Sequence, residues 1–319
     1  MKSKKFLVTG GAGFIGSNIA EKLAAAGHFV RVLDNFVSGR ESNLAFAKDL
    51  GPEQYELIRG DIRDKAACQR ACCGVDYVLH QAALRSVPRS LKYPESYNEV
   101  NIGGTLNMLQ AASAQKVKRF VLASSSSVYG DAGRFPEKED FCPQPISPYA
   151  LSKLAGEYYC RIYSGFFGIE TVVLRYFNVF GPKQALDDEY AVVIPKFIHC
   201  IMHDEEPPIF GTGRQSRDFT YIDNVVSANI LAAAAPGIRH GVFNVANGRD
   251  NTVLHIVESL NRIFRKKIRP RFLPVRAGDV FRTCADITKV GRVIGFRPLI
   301  GFKEGLEKTV EYFIEKNGD

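Results

Sequence analysis

The chain has 319 residues, 42 Lys and Arg against 34 Asp and Glu, and a formal charge of +8. Its 45% hydrophobic and 24% charged content excludes disordered and fibrous classes. No apolar run reaches membrane-spanning length and no signal peptide is visible in the opening MKSKK, so the expected location is the cytoplasm with no membrane partner.

In chain order, Lys5–Thr9 reads as a short buried strand leading into Gly10-x-x-Gly13-x-x-Gly16 and a helix over Ile15–Ala26. Gly10 suits a tight turn, Gly13 lets the backbone approach a pyrophosphate, and Gly16 lets the helix pack closely on the strand. The helix N-terminus offers N–H groups and a positive dipole end to phosphates. The next strand, Val30–Asp34, ends in an acid eighteen residues past Gly16. A carboxylate there accepts ribose hydroxyls and repels a 2′-phosphate, which favours NAD over NADP.

Further strands are expected at Tyr55–Arg59, Tyr77–Gln81, Arg119–Ser124 and Thr171–Tyr176, with Val242–Ala246 rejoining late. Helices are expected near Lys65–Cys73 and over Asn98–Ala114 and Tyr149–Phe166. Apolar strands alternating with helices predict an α/β fold, a doubly wound (Rossmann) parallel sheet with a smaller C-terminal substrate lobe. The expected division is residues 1–178 plus 223–247 for NAD and 179–222 plus 248–319 for substrate.

Tyr149 and Lys153 stand one helical turn apart, behind a Ser147-Pro148 helix start and downstream of the serine run 124–127. A second Tyr-x-x-x-Lys, Tyr312 to Lys316, lies in a charged C-terminal helix and reads as chance. A free tyrosine titrates near pH 10, so a nearby ammonium and a positive nicotinamide are needed to favour the phenolate. Ser125 can donate to the same substrate hydroxyl, giving a unit for oxidising a secondary alcohol beside a hydride acceptor.

Other features point nowhere special. Seven scattered cysteines without a Cys-x-x-Cys pair read as reduced thiols. His199 and His203 flank Cys200 with no zincin-type Glu between them, so no metal is expected. The basic run Arg265-Lys266-Lys267, with Arg269 and Arg271, lacks interleaved aromatics and reads as a solvated helix end, not a nucleic-acid site.

The ordered motifs resemble the extended short-chain dehydrogenase/reductase superfamily, and within it the NAD-dependent UDP-sugar 4-epimerases. They include Thr9–Gly16, Gly60-Asp61-Ile62, His80-Gln81-Ala82-Ala83, Asn101 within 100–105, Ser124–Gly130, Pro148-Tyr149-x-x-x-Lys153, Leu174–Asn178, Arg217-Asp218-Phe219-x-Tyr221-Ile222-Asp223 and Gly278-Asp279-Val280. The match is nearest to bacterial UDP-N-acetylglucosamine and UDP-glucose 4-epimerases. The resemblance implies the catalytic set Ser125, Tyr149 and Lys153. It implies NAD contacts from Gly10, Gly13, Phe14, Ile15, Gly16, Asp34, Asn35, Ser38, Gly39, Asp61, Ile62, Gln81, Ala82, Ala83, Asn101, Ser124, Tyr149, Lys153 and Tyr176. For the UDP-sugar it implies Arg85, Ser86, Ser125, Ser126, Ser127, Tyr149, Asn178, Val193, Arg217, Arg276, Asp279 and Thr283.

Related dehydratases carry an Asp-Glu pair where this chain has Ser126 and Ser127, and related decarboxylases carry a Glu at the second of these positions. Epimerisation is therefore expected, by hydride removal from C4, turnover of the 4-keto sugar and hydride return. A small Thr283 fits an N-acetylhexosamine, while an inward Arg85 would suit a UDP-hexuronate instead. A dehydratase, a decarboxylase and a non-catalytic NAD sensor are the remaining alternatives. Family members pair through two helices in a four-helix bundle, so a homodimer through 98–114 and 149–166 is expected.

Overall fold

The computed structural model describes residues 3–185, 193–275 and 280–317. Its elements, in chain order, begin with β1 (Lys5–Thr9), α1 (Phe14–Ala25), β2 (Phe29–Asp34), β3 (Tyr55–Arg59), α2 (Lys65–Cys72), β4 (Tyr77–His80), α3 (Val87–Lys92) and α4 (Pro94–Tyr97). Next come α5 (Thr105–Ala114), β5 (Arg119–Ser125), α6 (Pro148–Phe167), β6 (Glu170–Tyr176), β7 (Val179–Phe180), α7 (Val193–Met202), β8 (Pro208–Phe210), β9 (Ser216–Asp218), β10 (Thr220–Tyr221) and α8 (Ile222–Ala234). The chain finishes with β11 (His240–Val245), β12 (Asp250–Thr252), α9 (Val253–Phe264), β13 (Arg271–Leu273), α10 (Thr288–Ile294) and α11 (Phe302–Asn317).

Seven parallel strands form the central sheet in the order β11-β6-β5-β4-β1-β2-β3. The order reverses between β1 and β4, where a doubly wound sheet opens a crevice at its strand ends. Successive residues face opposite layers, as a strand's period of two requires. Val8, Val32, Leu79 and Val121 pack with α1 and α8, while Leu7, Leu33, Val78 and Leu122 pack with α2, α5 and α6. The first of these cores continues without a break into Phe180, Ile194, Ile209, Phe219, Val253 and Phe313. The expected substrate lobe thus shares its interior with the sheet. Three two-stranded pairs, β10-β7, β12-β9 and β13-β8, lie outside the central sheet.

The seven expected central strands are present, with ends shifted by at most two residues. The expected helix over Asn98–Ala114 differs in kind. Helical structure already begins at Pro94, and Asn98–Gly104 is wound as a π-helix before α5. A Cβ on Gly104 would meet Ile62 Cδ1 at 2.5 Å, so the wide turn packs its glycine directly against that side chain. The basic run is also more than a solvated end. Lys266 Nζ donates to the carbonyls of Ile201 and Met202, 2.9 Å each, and pairs with Asp204 at 2.9 Å. It supplies the positive charge and donors that a helix C-terminus, here that of α7, lacks.

Candidate active site

At the reversal point the glycine loop and the loop after β4 touch. Gly10 has φ +65°, and a Cβ there would lie 2.8 Å from Ala82 N. A Cβ on Gly16 would fall 2.2 Å from Gly10 O. Both positions therefore exclude a side chain, one by conformation and contact, the other by contact alone. His80 ties the loops from below. It is 2% exposed, with Nδ1 2.7 Å from Thr9 Oγ1 and Nε2 3.1 Å from Thr105 Oγ1. Burial, aided by the Lys153 charge, lowers its pKa to about 3, so the ring is neutral and structural. Thr9 Oγ1 in turn accepts from Ala82 N at 3.2 Å.

The resulting cavity is walled by Gly10, Gly13, Phe14, Ile15 and Gly16, by Asp34, Asn35 and Ser38, by Ile62, and by Gln81, Ala82 and Ala83. Ser124, Tyr149, Lys153 and Tyr176 complete the expected cofactor set on that wall. Asp34 accepts from Ala12 N and Phe36 N, 2.8 Å each, one on either oxygen. Its remaining lone pairs are what a ribose could use. Tyr176 is fixed through its hydroxyl by Gln81 Oε1 at 3.1 Å and Asn229 Nδ2 at 2.8 Å.

Three expected cofactor residues, Gly39, Asp61 and Asn101, do not line this cavity. Gly39 packs against Ala12 and Asp34. Asp61 is gripped by Arg63 and by Asn35 Nδ2, and the Arg63 hydrogen bond leads in lowering its pKa to about 2. Asn101 brackets Leu84, accepting from its N–H at 2.7 Å and donating to its carbonyl at 3.0 Å. Arg40, Asn43, Arg63, Lys183 and Gln184 also line the cavity and were not anticipated. Lys183 reaches it with a left-handed backbone, φ +69°, which nothing in its local sequence announces.

Ser125 ends β5, and Tyr149 is the second residue of α6. The helix is started by Ser147, whose hydroxyl accepts from Ala150 N at 3.2 Å, and by Pro148 in its first turn. Ser125 Oγ accepts from both the N–H and the hydroxyl of Ser127, at 3.2 and 2.9 Å. Its own proton is therefore available to Tyr149, to which it is hydrogen-bonded. Lys153 is buried, with Nζ donating to Ala123 O at 2.9 Å and lying 6.0 Å from the Tyr149 ring centre. Burial brings its pKa down to about 8. Burial also holds the Tyr149 phenol above its ordinary value, opposed by the Ser125 hydrogen bond and the positive charge of Arg85.

Arg85 lines the same cavity. Its loop is held by Tyr97, whose fully buried hydroxyl is hydrogen-bonded to the carbonyls of Arg85 and Ser86. Ser86 caps α3 with φ +91°, a strained value for a residue with a side chain.

Of the expected sugar-side residues, Ser125, Ser126 and Ser127 are half-buried at the end of β5. Asn178 Nδ2 meets Thr283 Oγ1 at 3.2 Å and Asp218 O at 3.3 Å. Arg217 donates to the carbonyls of Ser216 and Phe281, and Val193 opens α7. Asn178, Val193, Arg217 and Thr283 do not line the cavity described above. Arg276 and Asp279 lie outside the described residues. Elsewhere, His199, Cys200 and Glu205 bring ligand atoms within 4.8 Å of one another, while His203 turns Nδ1 to the His199 carbonyl at 2.8 Å.

Comparison with known proteins adds three findings. The model of the NAD dependent epimerase/dehydratase family matches residues 6–246. A putative UDP-glucose 4-epimerase of Methanocaldococcus jannaschii is 35% identical over 313 residues, spanning 98% of this chain and 99% of the relative. Two solved structures superpose closely. The UDP-N-acetylglucosamine 4-epimerase of Methanobrevibacter ruminantium M1, in complex with UDP-N-acetylmuramic acid, gives a TM-score of 0.93 at 39% identity, covering 99% of this chain and 100% of that one. The UDP-glucuronic acid 4-epimerase of Bacillus cereus, in complex with UDP-glucuronic acid and NAD, gives 0.90 at 32% identity, covering 98% and 99%.

Proposed function

The chain belongs to the NAD-dependent epimerase/dehydratase family, and from that premise we propose that it reversibly inverts C4 of a UDP-hexose through a 4-keto sugar. The observation that carries this reading is the meeting of Ser125, Tyr149 and Lys153 beside the glycine-loop cavity, with serines at 126 and 127. Elimination and decarboxylation need an acid at those positions that this chain does not place there.

The residues fit a dinucleotide. Gly10 and Gly16 keep the loop bare where a pyrophosphate must approach, and Asp34 faces the cavity at the end of β2. When bound there, NAD supplies the acceptor and donor of hydride for the sugar's C4. The protein's part is acid–base and positional. Tyr149 takes the proton of the 4-hydroxyl and later returns it, with Ser125 donating to the same oxygen. The half-cycle that needs the phenolate is favoured by every positive charge near the ring. The UDP carries the main binding energy, leaving the 4-keto hexose free to turn.

Thr283, small and set against Asn178, supports a pocket that admits an N-acetyl group, so UDP-N-acetylglucosamine and UDP-N-acetylgalactosamine are the first pair assigned, with UDP-glucose and UDP-galactose next. A second reading, a UDP-hexuronate, is favoured by Arg85, whose position on the cavity wall suits a sugar carboxylate. Incubation with UDP-galactose, UDP-N-acetylgalactosamine and UDP-galacturonate, followed by analysis for C4-inverted products, tests both. Conversion of none of the three overturns the epimerase reading. Tyr149→Phe should keep the fold and bound NAD while losing turnover by about a hundred- to ten-thousand-fold.

We also assign the chain a homodimeric form. Leu151, Tyr158, Ile162 and Phe166 make an exposed apolar stripe along α6, with Phe166 84% exposed, which suits pairing with α5 and α6 of a second copy. The division into an NAD region, 1–178 plus 223–247, and a substrate region, 179–222 plus 248–319, is retained as the functional one, although one core runs through both. Seven free cysteines support a reducing, cytoplasmic setting, and no helix among the described residues is long and apolar enough to cross a membrane.

A further inference from the structure

Residues 281–286 form an extended strap that follows the substrate lobe's last short strand and carries Thr283. Each of its backbone N–H groups from 283 to 286 is captured. Thr283 N donates to Ser216 O at 3.1 Å, and Asp286 N to Glu137 O at 2.8 Å. The two between them go to side-chain carboxyls. Cys284 N donates to Glu137 Oε2 at 3.0 Å and Ala285 N to Asp218 Oδ2 at 3.2 Å. Both acids are buried, Glu137 1% exposed and Asp218 fully. They reach the strap from unrelated places, Glu137 from the loop before α6 and Asp218 from β9.

Each acid is also anchored on its other side. Glu137 N donates to Cys284 O at 2.7 Å, and its carbonyl accepts from Asn244 Nδ2, on β11 of the central sheet, at 2.9 Å. Asp218 accepts from Asn247 N and Gly248 N, just past the same strand, at 2.9 and 3.0 Å. The strap is thus tied through these two residues to the sheet's outermost strand and the turn that follows it. The same connection bears on the sugar side, since Asn178 touches both Thr283 and the Asp218 carbonyl.

We propose that Glu137 and Asp218 are positioning residues, a carboxyl latch that holds the Thr283 strap against the sheet and so forms one wall of the hexose pocket. This rests on the assignment of Thr283 to that pocket. The latch is proton-linked. Burial, with Asp218 nearby, raises Glu137 to about 8 against the opposing Cys284 N–H, Arg217 and Arg282. Burial, with Asp250 on β12 nearby, raises Asp218 to about 7 against its three N–H donors. The groups facing the pair are therefore Arg217 and Asp250 of the antiparallel β9-β12 pair and Arg282 on the strap, itself paired to Asp250 at 2.8 Å. Raised carboxyl values mean that the latched form holds protons the open form releases. Latching is favoured at lower pH, weakens as pH rises from the ordinary carboxyl range of about 4, and levels off above about 8.

The test uses the full-length protein and three variants of the latch. Glu137→Ala removes an acceptor from a buried N–H and should raise the KM for UDP-N-acetylgalactosamine about tenfold at pH 7, with kcat and bound NAD held. Glu137→Gln keeps a neutral acceptor, so it should restore the KM and make shallower the climb that the wild-type KM shows between about pH 5 and 8 before levelling off. Asp218→Asn, which must turn an NH2 toward one of the three backbone N–H groups that Asp218 accepts, should raise the KM as Glu137→Ala does. In parallel, hydrogen exchange at 281–286 should quicken in Glu137→Ala and, for wild type, with rising pH beyond the intrinsic chemical rate. Unchanged exchange in Glu137→Ala overturns the latch. Faster exchange with an unchanged KM overturns its link to the sugar pocket, and an equal fall of kcat with normal KM overturns a positioning role. The exchange arm needs no turnover, so it is readable even if the epimerase reading fails.

Discussion

Ser125 accepts from Ser127 through both of its lone pairs, which leaves its one proton pointing to the Tyr149 side of the site, and this division makes a pair of serines more than the absence of two acids. With Ser127 Oγ 2.9 Å from Ser125 Oγ, the hydroxyl proposed to donate to the reacting oxygen is already oriented. Lys153 is the ammonium that its spacing brings beside the Tyr149 ring, 6.0 Å from the ring centre. It donates to Ala123 O, and Arg85 adds a second positive charge that opposes the burial of the Tyr149 phenol. Arg85→Leu should therefore raise the Tyr149 pKa further above its ordinary value. The limb of the kcat–pH profile that needs the phenolate should move to higher pH, checked on whichever of the three UDP-sugars turns over. Selective loss of UDP-galacturonate turnover at a fixed pH would instead mark Arg85 as a carboxylate reader. The Tyr/Lys spacing was legible in sequence because i and i+4 share a helix face. Arg85 was legible only as a question, since a loop residue's direction is set by Tyr97 and Ser86, contacts that carry no periodicity.

Elements were readable in proportion to their hydrophobic pattern. The central strands are apolar over nearly their full length, which is the signature of burial on both faces. The stretch from Val87 to Tyr97 was not foreseen as helix because Pro88 and Pro94 interrupt it. In the structure each proline sits in the first turn of its own short helix, where a missing N–H costs nothing. The π-wound turn after it could not be read at all, since π and α windings share the same residue preferences. Yet this turn brings Asn101 onto Leu84 and Ser152 and so joins the Arg85 loop to α6. The start of α6 is as consequential. Ser147→Ala should cost about 1 kcal/mol through loss of the cap, seen as a lower Tm. It should also reduce kcat, because Tyr149 lies in the turn that the cap orders. A lower Tm with wild-type kcat would mean that the packing of α6 on β5 alone holds the tyrosine.

For the whole molecule, sheet order and motif order together place the site where the strand sequence reverses, and that much followed from strand–helix alternation. Long-range ties did not. Glu137 and Cys284 are 147 positions apart, and a single acid in a loop leaves no pattern to find. At this scale the exposed stripe on α6 makes the plainest prediction. Phe166→Glu should convert a dimer to a monomer in light scattering, and an unchanged mass would remove α6 from the interface. The unbroken core that runs from Val8 through Phe180 and Ile194 to Phe313 has a consequence for how the protein melts. The proposed NAD and substrate regions share one interior and so cannot come apart in turn. The calorimetric and van't Hoff enthalpies of each protomer should therefore agree. Neither region should survive alone after proteolytic nicking, and saturating NAD should lift the whole transition as a single step rather than split it in two.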